Sequence, residues 1–397
     1  MTTFRPSDER ELSDIVAAAL AREEPLEIVA GGSKRGLGRP LQLPHTLDMS
    51  AFSGIRSYEP EELVLTAGAA TSMRIIEAAL AERGQMLAFE PPDWRRLLGS
   101  GAAEPTLGGV TACNLSGPRR IKAGAARDHL LGFHAVSGRA EAFKAGGRVV
   151  KNVTGYDLPK LMAGSYGTLA ALTEVTFKVL PRPEAERSLV VAGLDDAAAT
   201  RAMAAALNSP HEVSGAAHLP RGADGADRPL TVLRLEGPAP SVAARAAALA
   251  QELGSFGTID EAREGASREL WQAVGEVVPL AHDAQRTLWR LSVAPNAGAP
   301  LAAELARRLD HRHFFDWGGG LLWLAVRGGD DGGAAIIRAA IARLGGHATL
   351  IRGADALRAA VPVFQPQAPA LAALSRRVKE GFDPRRILNR GRIYADL

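Results

Sequence analysis

The stretch of sequence that decides the fold lies between Thr106 and Pro183. Residues 106–132 read TLGGVTACNLSGPRRIKAGAARDHLLG, and residues 151–183 read KNVTGYDLPKLMAGSYGTLAALTEVTFKVLPRP. Glycine tolerates positive φ angles and lets another molecule approach the backbone closely. The Thr, Asn and Ser side chains between the glycines supply neutral hydrogen-bonding groups. The first stretch therefore suits a main chain wound around a large polar cofactor, although its composition is equally compatible with a glycine-rich surface loop.

The second stretch, residues 151–183, has the composition of an ordered segment. Residues 151–166 contain a dense, nonrepetitive set of Gly, Asn, Tyr, Asp and Pro that is unlike a linker. Residues 169–180 then alternate apolar and polar side chains, which predicts a β-strand that follows a tight turn.

Together these residues resemble the FAD-binding domain of the vanillyl-alcohol oxidase superfamily, and most closely the flavoprotein subunits of bacterial glycolate oxidase. The first stretch is similar to the family pattern TxGG…AxNxSG…G…RD…LG, from Thr106 to Gly132. The second is similar to GG…VKNVTGYDL…L..GS.GTL…TE.T.K.LP.P, from Gly146 to Pro183. The resemblance implies an α+β fold of the p-cresol methylhydroxylase (PCMH) type. It comprises a two-subdomain FAD-binding domain in residues 1–183, an α+β cap domain in residues 184–370, and a C-terminal segment, residues 371–397, that packs back on the FAD domain.

A second glycine-rich loop follows the short apolar run Leu26–Ala30, which predicts a buried strand. Residues 31–38, GGSKRGLG, are not a Walker A loop, because no Gly-Lys-Ser/Thr ends them. They are a poor Rossmann fingerprint, since Arg39-Pro40 and the strand-like residues 41–43 follow where a helix should begin. Taken alone, the loop is a β-turn with extra glycines. The resemblance makes it the first pyrophosphate loop, in which Lys34 and Arg35 either add charge near a diphosphate or face water.

The resemblance implies a set of cofactor-binding residues, which are Gly31, Gly32, Ser33, Lys34, Arg35, Thr106, Gly108, Gly109, Cys113, Asn114, Ser116, Gly117, Asp128, Gly164, Gly167, Thr168, Glu174, Val175 and Asn389. Relatives that attach flavin covalently often use a histidine in the first loop, and this loop has none. Cys113 is the only thiol in the chain, and a small packed residue is its expected role, so the prediction is FAD that is bound non-covalently. Asn389 is either a flavin contact or an Asx cap of the final turn.

The amino-acid composition excludes several classes of protein. The 397 residues carry a formal net charge of +3 with acidic and basic residues interspersed, so no basic patch indicates a nucleic-acid partner. A single cysteine excludes a disulfide framework and an iron–sulfur cluster held by this chain alone. Neither a signal peptide nor an apolar span near 20 residues is visible. The expected location is the cytoplasm, with contact to the inner membrane only through a partner.

Local patterns predict the remaining elements. Ser7 or Asp8 caps a helix that ends at Pro25, residues 55–58 and 63–67 form a strand pair, and residues 87–90 form a further strand. A helix capped by Thr71 or Ser72 begins near Met73 and ends at Gly84. Beyond Pro183, helical windows at 195–207, 241–253, 301–309 and 334–344 alternate with strands at 230–235, 286–293 and 321–326, which predicts a second mixed domain.

The chain departs from the catalytic flavoprotein subunit of the family in one respect. It lacks the motif His-x-Gly-Asp-Gly-Asn-x-His, whose histidines ligate a metal or act on the substrate. His311 and His313 share a face if they lie on a strand, but a satisfied or solvated pair is the expected role, and no metal site is predicted. The segment 382–392 is similar to the family's closing FDP…ILNPG, with Arg390 in place of proline.

The sequence therefore predicts the smaller FAD-binding subunit of a glycolate oxidase complex, with no catalytic residue assigned. The implied partners are a larger catalytic FAD subunit and an iron–sulfur subunit, and a small 2-hydroxy acid is the substrate of the whole complex. The chain would relay electrons or hold the complex together. One alternative is a stand-alone 2-hydroxyacid dehydrogenase that uses Tyr156 or His134 as its base. The other is a flavin-free structural subunit.

Overall fold

The computed structural model describes residues 2–147, 155–222 and 228–397. Its strands are β1 Thr2–Phe4, β2 Leu26–Val29, β3 His45–Asp48, β4 Ile55–Glu59, β5 Val64–Gly68, β6 Gln85–Met86, β7 Leu130–Ser137, β8 Ala142–Gly146, β9 Ala170–Lys178, β10 Leu180–Pro181, β11 Ala185–Ala192, β12 Gly215–Leu219, β13 Leu230–Gly237, β14 Ile259–Arg263, β15 Thr287–Ser292, β16 His311–Asp316, β17 Leu321–Val326 and β18 His347–Arg352.

Its helices are α1 Glu9–Arg22, α2 Met73–Ala81, α3 Arg95–Leu98, α4 Leu107–Cys113, α5 Arg120–Ala123, α6 Ala126–His129, α7 Leu158–Met162, α8 Asp196–Leu207, α9 Ala239–Glu252, α10 Glu264–Gly275, α11 Val278–Ala281, α12 Gly298–Ala306, α13 Ala334–Leu344, α14 Asp355–Ala360 and α15 Pro369–Phe382.

Contacts divide the chain into two units. The first contains Met1–Leu115, Ala125–Pro181 and Pro366–Leu397, and the second contains Ser116–Gly124 and Arg182–Gln365. The assignment of an FAD-binding domain, a cap and a returning C-terminal segment at the boundaries given above stays a prediction.

The first unit contains two main sheets. One is a parallel sheet in the order β1-β3-β2, and the other is an antiparallel sheet in the order β4-β5-β9-β7-β8. Helix α1 begins at Asp8, whose carboxylate accepts a hydrogen bond from the N–H of Glu11 at 2.8 Å. Its apolar face, with Leu12 and Val16, packs on β2 and β3 and on Leu388 from the C-terminal segment. The α1 helix and the β9 strand confirm two predictions from the sequence.

Two short predicted strands are wrong. Residues 87–90 form a turn in which the N–H of Glu90 donates to the carbonyl of Leu87, and Glu90 has a φ of 48°. The apolar side chains there are buried by packing, as with Phe89 against Phe177 at 5.5 Å between ring centroids, and not by sheet pairing. Residues 41–43 are also not a strand, because β3 begins only at His45.

Residues Leu107–Cys113 of the glycine-rich stretch form helix α4. The Thr106 hydroxyl accepts a hydrogen bond from the N–H of Gly109 at 3.2 Å and caps α4. Gly108 allows this helix to approach the backbone of Ala69, because a Cβ on Gly108 would lie 2.7 Å from the Ala69 carbonyl oxygen. The Thr106 cap and the close packing of Gly108 on Ala69 together oppose the low helix propensity of two adjacent glycines.

The second unit is built on an antiparallel sheet in the order β14-β11-β13-β12-β16-β17-β15-β18. The helices predicted near residues 195–207, 241–253, 301–309 and 334–344 are confirmed as α8, α9, α12 and α13, and the strands near 230–235, 286–293 and 321–326 as β13, β15 and β17. The pattern missed β11, β12, β14, β16 and β18. His311 and His313 do lie on a strand, β16, with ring centroids 5.2 Å apart.

Candidate functional site

A pocket in the first unit collects most of the predicted cofactor residues. It encloses a cavity of about 120 Å³. The end of β2 and the loop after it form one wall, helix α4 forms another, and the turn before β9 and the C-terminal segment complete the lining. Predicted residues in this lining are Gly31, Gly32, Ser33, Lys34, Arg35, Thr106, Gly108, Gly109, Cys113, Gly167 and Asn389.

Hydrogen bonds from residues 100 and 104 hold the backbone of the loop after β2. The carbonyl of Gly31 accepts a hydrogen bond from the N–H of Glu104 at 3.0 Å, and the carbonyl of Ser33 accepts one from the Ser100 hydroxyl at 3.2 Å. A Cβ on Gly31 would lie only 1.8 Å from the Glu104 carbonyl oxygen. Glycine is therefore required at position 31 by a close backbone approach, which gives the predicted pyrophosphate loop a defined shape.

Lys34 is the main electrostatic feature of the pocket. Its Nζ is buried and has no hydrogen-bond partner among the residues that the structure describes. Burial lowers the pKa of Lys34, while the nearby Cys113 and Asp93 act in the opposite direction. A buried ammonium without a partner is costly to a folded chain. An anionic ligand in the pocket would supply the missing partner.

Cys113 also lines the pocket, at the end of α4. Burial raises the pKa of its thiol to about 11, against the opposing effects of Lys34 and Arg392. The side chain is therefore a neutral thiol at physiological pH, and the thiolate required for covalent attachment is scarce.

Asn389 joins three parts of the chain at the edge of the pocket. Its Oδ1 accepts a hydrogen bond from the N–H of Ile28 at 2.8 Å, and its Nδ2 donates to the carbonyl of Tyr166 at 2.7 Å. Gly167 must stay free of a side chain here, since its Cβ would lie 2.7 Å from that Nδ2. The contact of Asn389 with flavin stays a prediction.

Several predicted cofactor residues lie outside the pocket lining and make other contacts. Asn114 caps α4 in the left-handed region and accepts from the N–H of Arg127 at 3.0 Å. Asp128 accepts from the N–H of Ala125 at 2.9 Å and so caps its own short helix. Ser116 and Gly117 group with the second unit. In that unit the carbonyl of Gly117 accepts from the indole N–H of Trp317 at 3.2 Å.

The other residues outside the lining support the turn before β9 and the strand itself. Gly164 donates its N–H to the carbonyl of Thr111 at 3.1 Å, at the end of α4. The Thr168 hydroxyl donates to the carbonyl of Ser165 at 2.7 Å. Glu174 lies on β9 opposite His134, and Val175 is fully buried on the same strand. Their roles in cofactor binding stay predictions.

Neither candidate base lines the pocket. His134 lies on β7, with Glu9 at 3.8 Å from its Nδ1 and Glu174 at 4.0 Å from its Nε2. Tyr156 is 90% exposed. His313 is a satisfied side chain, because its Nε2 lies 2.9 Å from Asp196 Oδ2. Within residues 2–147, 155–222 and 228–397, no group of three or more His, Cys, Asp and Glu side chains is placed to hold a metal ion.

Arg392 is a charged lining residue that the sequence did not predict. The family's closing pattern ends at Gly391, and an arginine near a C-terminus carries no signal of its own. In the described part of the chain, no helix is long and apolar enough to cross a membrane.

The residues present fit FAD. Gly31 packs closely on Glu104 and Gly108 packs closely on Ala69, which shapes the two walls of the pocket. Among the described residues, the buried Lys34 ammonium in this pocket has no hydrogen-bond partner. A flavin dinucleotide has an anionic diphosphate that matches such a cation. The residues of the pocket thus indicate a protein of the FAD-binding class.

Comparisons with known proteins agree with this class. A protein family described as an FAD binding domain matches residues 2–146. The chain superposes on p-cresol methylhydroxylase with a TM-score of 0.76 at 14% sequence identity, covering 99% of this chain and 88% of that one. It is 36% identical over 389 residues to glycolate oxidase subunit GlcE of Escherichia coli (strain K12), covering 97% of both chains. It is also 31% identical over 179 residues to glycolate oxidase subunit GlcD of Bacillus subtilis (strain 168), covering 44% of this chain and 35% of that protein.

The chain belongs to the family of glycolate oxidase subunit GlcE. The sequence similarity to GlcE extends over 97% of this chain, whereas the similarity to GlcD covers 44% of it.

Proposed function

We propose that this chain binds FAD non-covalently in the pocket of the first unit, as the FAD-binding subunit of a complex that oxidises glycolate to glyoxylate. The observation that carries the proposal is the ammonium of Lys34, which is buried in the glycine-rich loop after β2 and has no hydrogen-bond partner in the described part of the chain. FAD supplies the two-electron chemistry of such an oxidation when it is bound.

The residues of the chain have separate tasks in this proposal. The ammonium of Lys34 balances the charge of the diphosphate. Gly31 and Gly108 keep the loop and α4 close to their neighbours, which preserves the shape of the cavity. Apolar side chains in the lining, including Ile28, Met49 and Leu172, exclude water from the ligand. None of these groups is a base for an α-hydroxy acid.

The positions of the two candidate bases support a role inside a complex. Candidates His134 and Tyr156 lie on the surface of the first unit, outside the pocket. Oxidation of the 2-hydroxy acid then takes place on a larger FAD subunit, and an iron–sulfur subunit accepts the electrons. The chain relays electrons between them or keeps the complex assembled. We place it in the cytoplasm, with contact to the inner membrane only through these partners.

The experiment that tests the proposal is an absorbance spectrum of the purified chain before and after acid precipitation, followed by anaerobic addition of glycolate. We expect a flavin spectrum, release of FAD into the supernatant, and no bleaching by glycolate. Bleaching of the lone chain would establish a substrate site of its own and contradict the complex-dependent role. Protein that takes up no flavin even after reconstitution would leave a structural subunit as the remaining function.

A further inference from the structure

The C-terminal segment contacts the pocket loop through a single arginine. The side chain of Arg392 is 7% exposed. Its Nη1 donates to the carbonyl oxygens of Arg35, Leu37 and Arg39, at 3.1, 3.3 and 3.4 Å. One cationic nitrogen thus faces three carbonyl oxygens of the segment that immediately follows Lys34.

The other end of the same guanidinium is held by a buried carboxylate. Arg392 Nη2 donates to Glu27 Oε1 at 3.1 Å, and Glu27 lies on β2 with its side chain 5% exposed. Glu27 also accepts from Arg35 Nε at 3.0 Å. The Glu27 carboxylate on β2 therefore pairs with one arginine of the loop, Arg35, and with one arginine of the C-terminal segment, Arg392. The three side chains form one ion-pair network. A planar guanidinium can make all of these bonds at once, whereas a lysine cannot.

The backbone is shaped to fit this contact. Gly38 has a φ of +76°, and a Cβ there would lie 2.8 Å from both the carbonyl oxygen and Cδ of Arg392. The N–H of Arg39 donates to the Arg392 carbonyl at 2.8 Å. Residues 35–39 thus pack around Arg392. Their backbone conformation fixes the orientation of the preceding residue, Lys34, and therefore of its side chain.

We propose that Arg392 is a positioning residue for the cofactor. It holds residues 35–39 in place so that Lys34 points into the pocket, and it acts through the loop carbonyls and Glu27, not as a ligand of the diphosphate. The two terminal nitrogens of its guanidinium are already engaged by the protein. The inference rests on the proposed FAD site.

The test is a double-mutant cycle on FAD affinity with the full chain. The variants are R392Q, R392K, K34M and the double variant K34M/R392Q, and R385Q is the matched control because Arg385 pairs with Glu23 on the surface at 62% exposure. We expect R392Q and R392K each to weaken FAD binding at least tenfold. The double variant should lose much less than the product of the two single losses, since residues that act through each other are not additive. R385Q should bind FAD like the unmodified chain.

A direct phosphate contact gives a different result. In that case R392K would retain most of the affinity, because lysine supplies an equivalent point charge, and the losses in K34M and R392Q would multiply. Either outcome would overturn the positioning role, as would unchanged affinity in R392Q. Melting temperature and far-UV circular dichroism of the FAD-free variants check folding. If R392Q does not fold, R392K carries the comparison, because it retains a cation beside Glu27. Unmodified chain that binds no FAD would instead refute the proposed function, and this inference with it.

Discussion

The Nζ of Lys379 lies 2.7 Å from Oδ2 of Asp383, and the two side chains are 2% and 0% exposed. The ammonium also donates to the carbonyls of Thr168 and Leu388, at 2.6 and 3.1 Å. The carboxylate accepts from the N–H groups of Ile387 and Leu388, at 2.9 and 2.8 Å. This pair orders the residues that lead to Asn389 and Arg392, so the far C-terminus contributes to the pocket through a buried ion pair.

Removal of one partner of this pair should destabilise the protein. The change D383A leaves the ammonium of Lys379 buried without its countercharge, and breaking a buried ion pair costs about 3–5 kcal/mol. Urea unfolding measures the loss. The control is D396A, because Asp396 is 65% exposed beside Arg376 at 3.6 Å and such surface pairs contribute about 0–1 kcal/mol. Equal stability of D383A and D396A would contradict the role of the buried pair.

Gly31 should be intolerant of any side chain. In G31A the new Cβ meets the Glu104 carbonyl oxygen at 1.8 Å, and overpacking of this kind costs about 1–3 kcal/mol. The loop must move to relieve the clash, so we expect FAD affinity to fall as well. G36A is the matched control in the same loop, because its Cβ would make ordinary contact with Leu98 at 3.5 Å. Titration with FAD and thermal unfolding measure both effects, and a G31A variant that matches G36A would contradict the close approach.

The change K34M should have opposite effects on the two forms of the protein. FAD affinity should fall at least tenfold, which corresponds to about 1.4 kcal/mol, because the diphosphate loses its cation. The FAD-free protein should become more stable, because the change removes a buried ammonium that makes no hydrogen bond to the residues that the structure describes. The exposed Lys160, which pairs with Asp157 on the surface, provides the control K160M. A loss of stability in FAD-free K34M would show that Lys34 already has a partner in the protein.

The lowered pKa of Lys34 predicts how the stability of the FAD-free protein depends on pH. Between the lowered pKa in the folded state and the ordinary value of 10.5, the unfolded chain binds more protons at this site than the folded chain does. The free energy of unfolding therefore rises with pH across that window. The rise should be smaller in K34M than in K160M. Parallel pH profiles of the two variants would show that the site makes no contribution.

Cys113 should behave as an unreactive thiol in the folded protein. With its pKa raised to about 11, the thiolate fraction near pH 8 is small, so we expect slow reaction with a disulfide reagent until urea unfolds the chain. The raised pKa also stabilises the folded state below pH 9, the ordinary value for the thiol, and this contribution is lost as the pH rises through about 11. Fast labelling at pH 8 without denaturant would contradict burial of the thiol.

Much of the architecture follows from local patterns. Helix α1 is predicted by its Asp8 cap and by the helical period of its apolar side chains. Strand β9 is predicted by the alternation of apolar and polar side chains. The strand predicted at residues 87–90 is a turn, because its apolar side chains are buried by tertiary packing such as that of Phe89 on Phe177. The helix at Leu107–Cys113 was not predicted, because it depends on the close approach of Gly108 to Ala69. The missed strands β11, β12, β14, β16 and β18 belong to a sheet whose register is set by pairing between distant residues.

The sequence by itself determined the family, because its residues match the family pattern at many positions with defined spacing. Only the tertiary structure decided which residues meet at the pocket. It buried the Lys34 ammonium with no hydrogen-bond partner among the residues that the structure describes, and it brought Arg392 to the loop. The physical reason is that burial and contacts between residues separated by more than 350 positions are properties of the folded chain, which local composition does not encode.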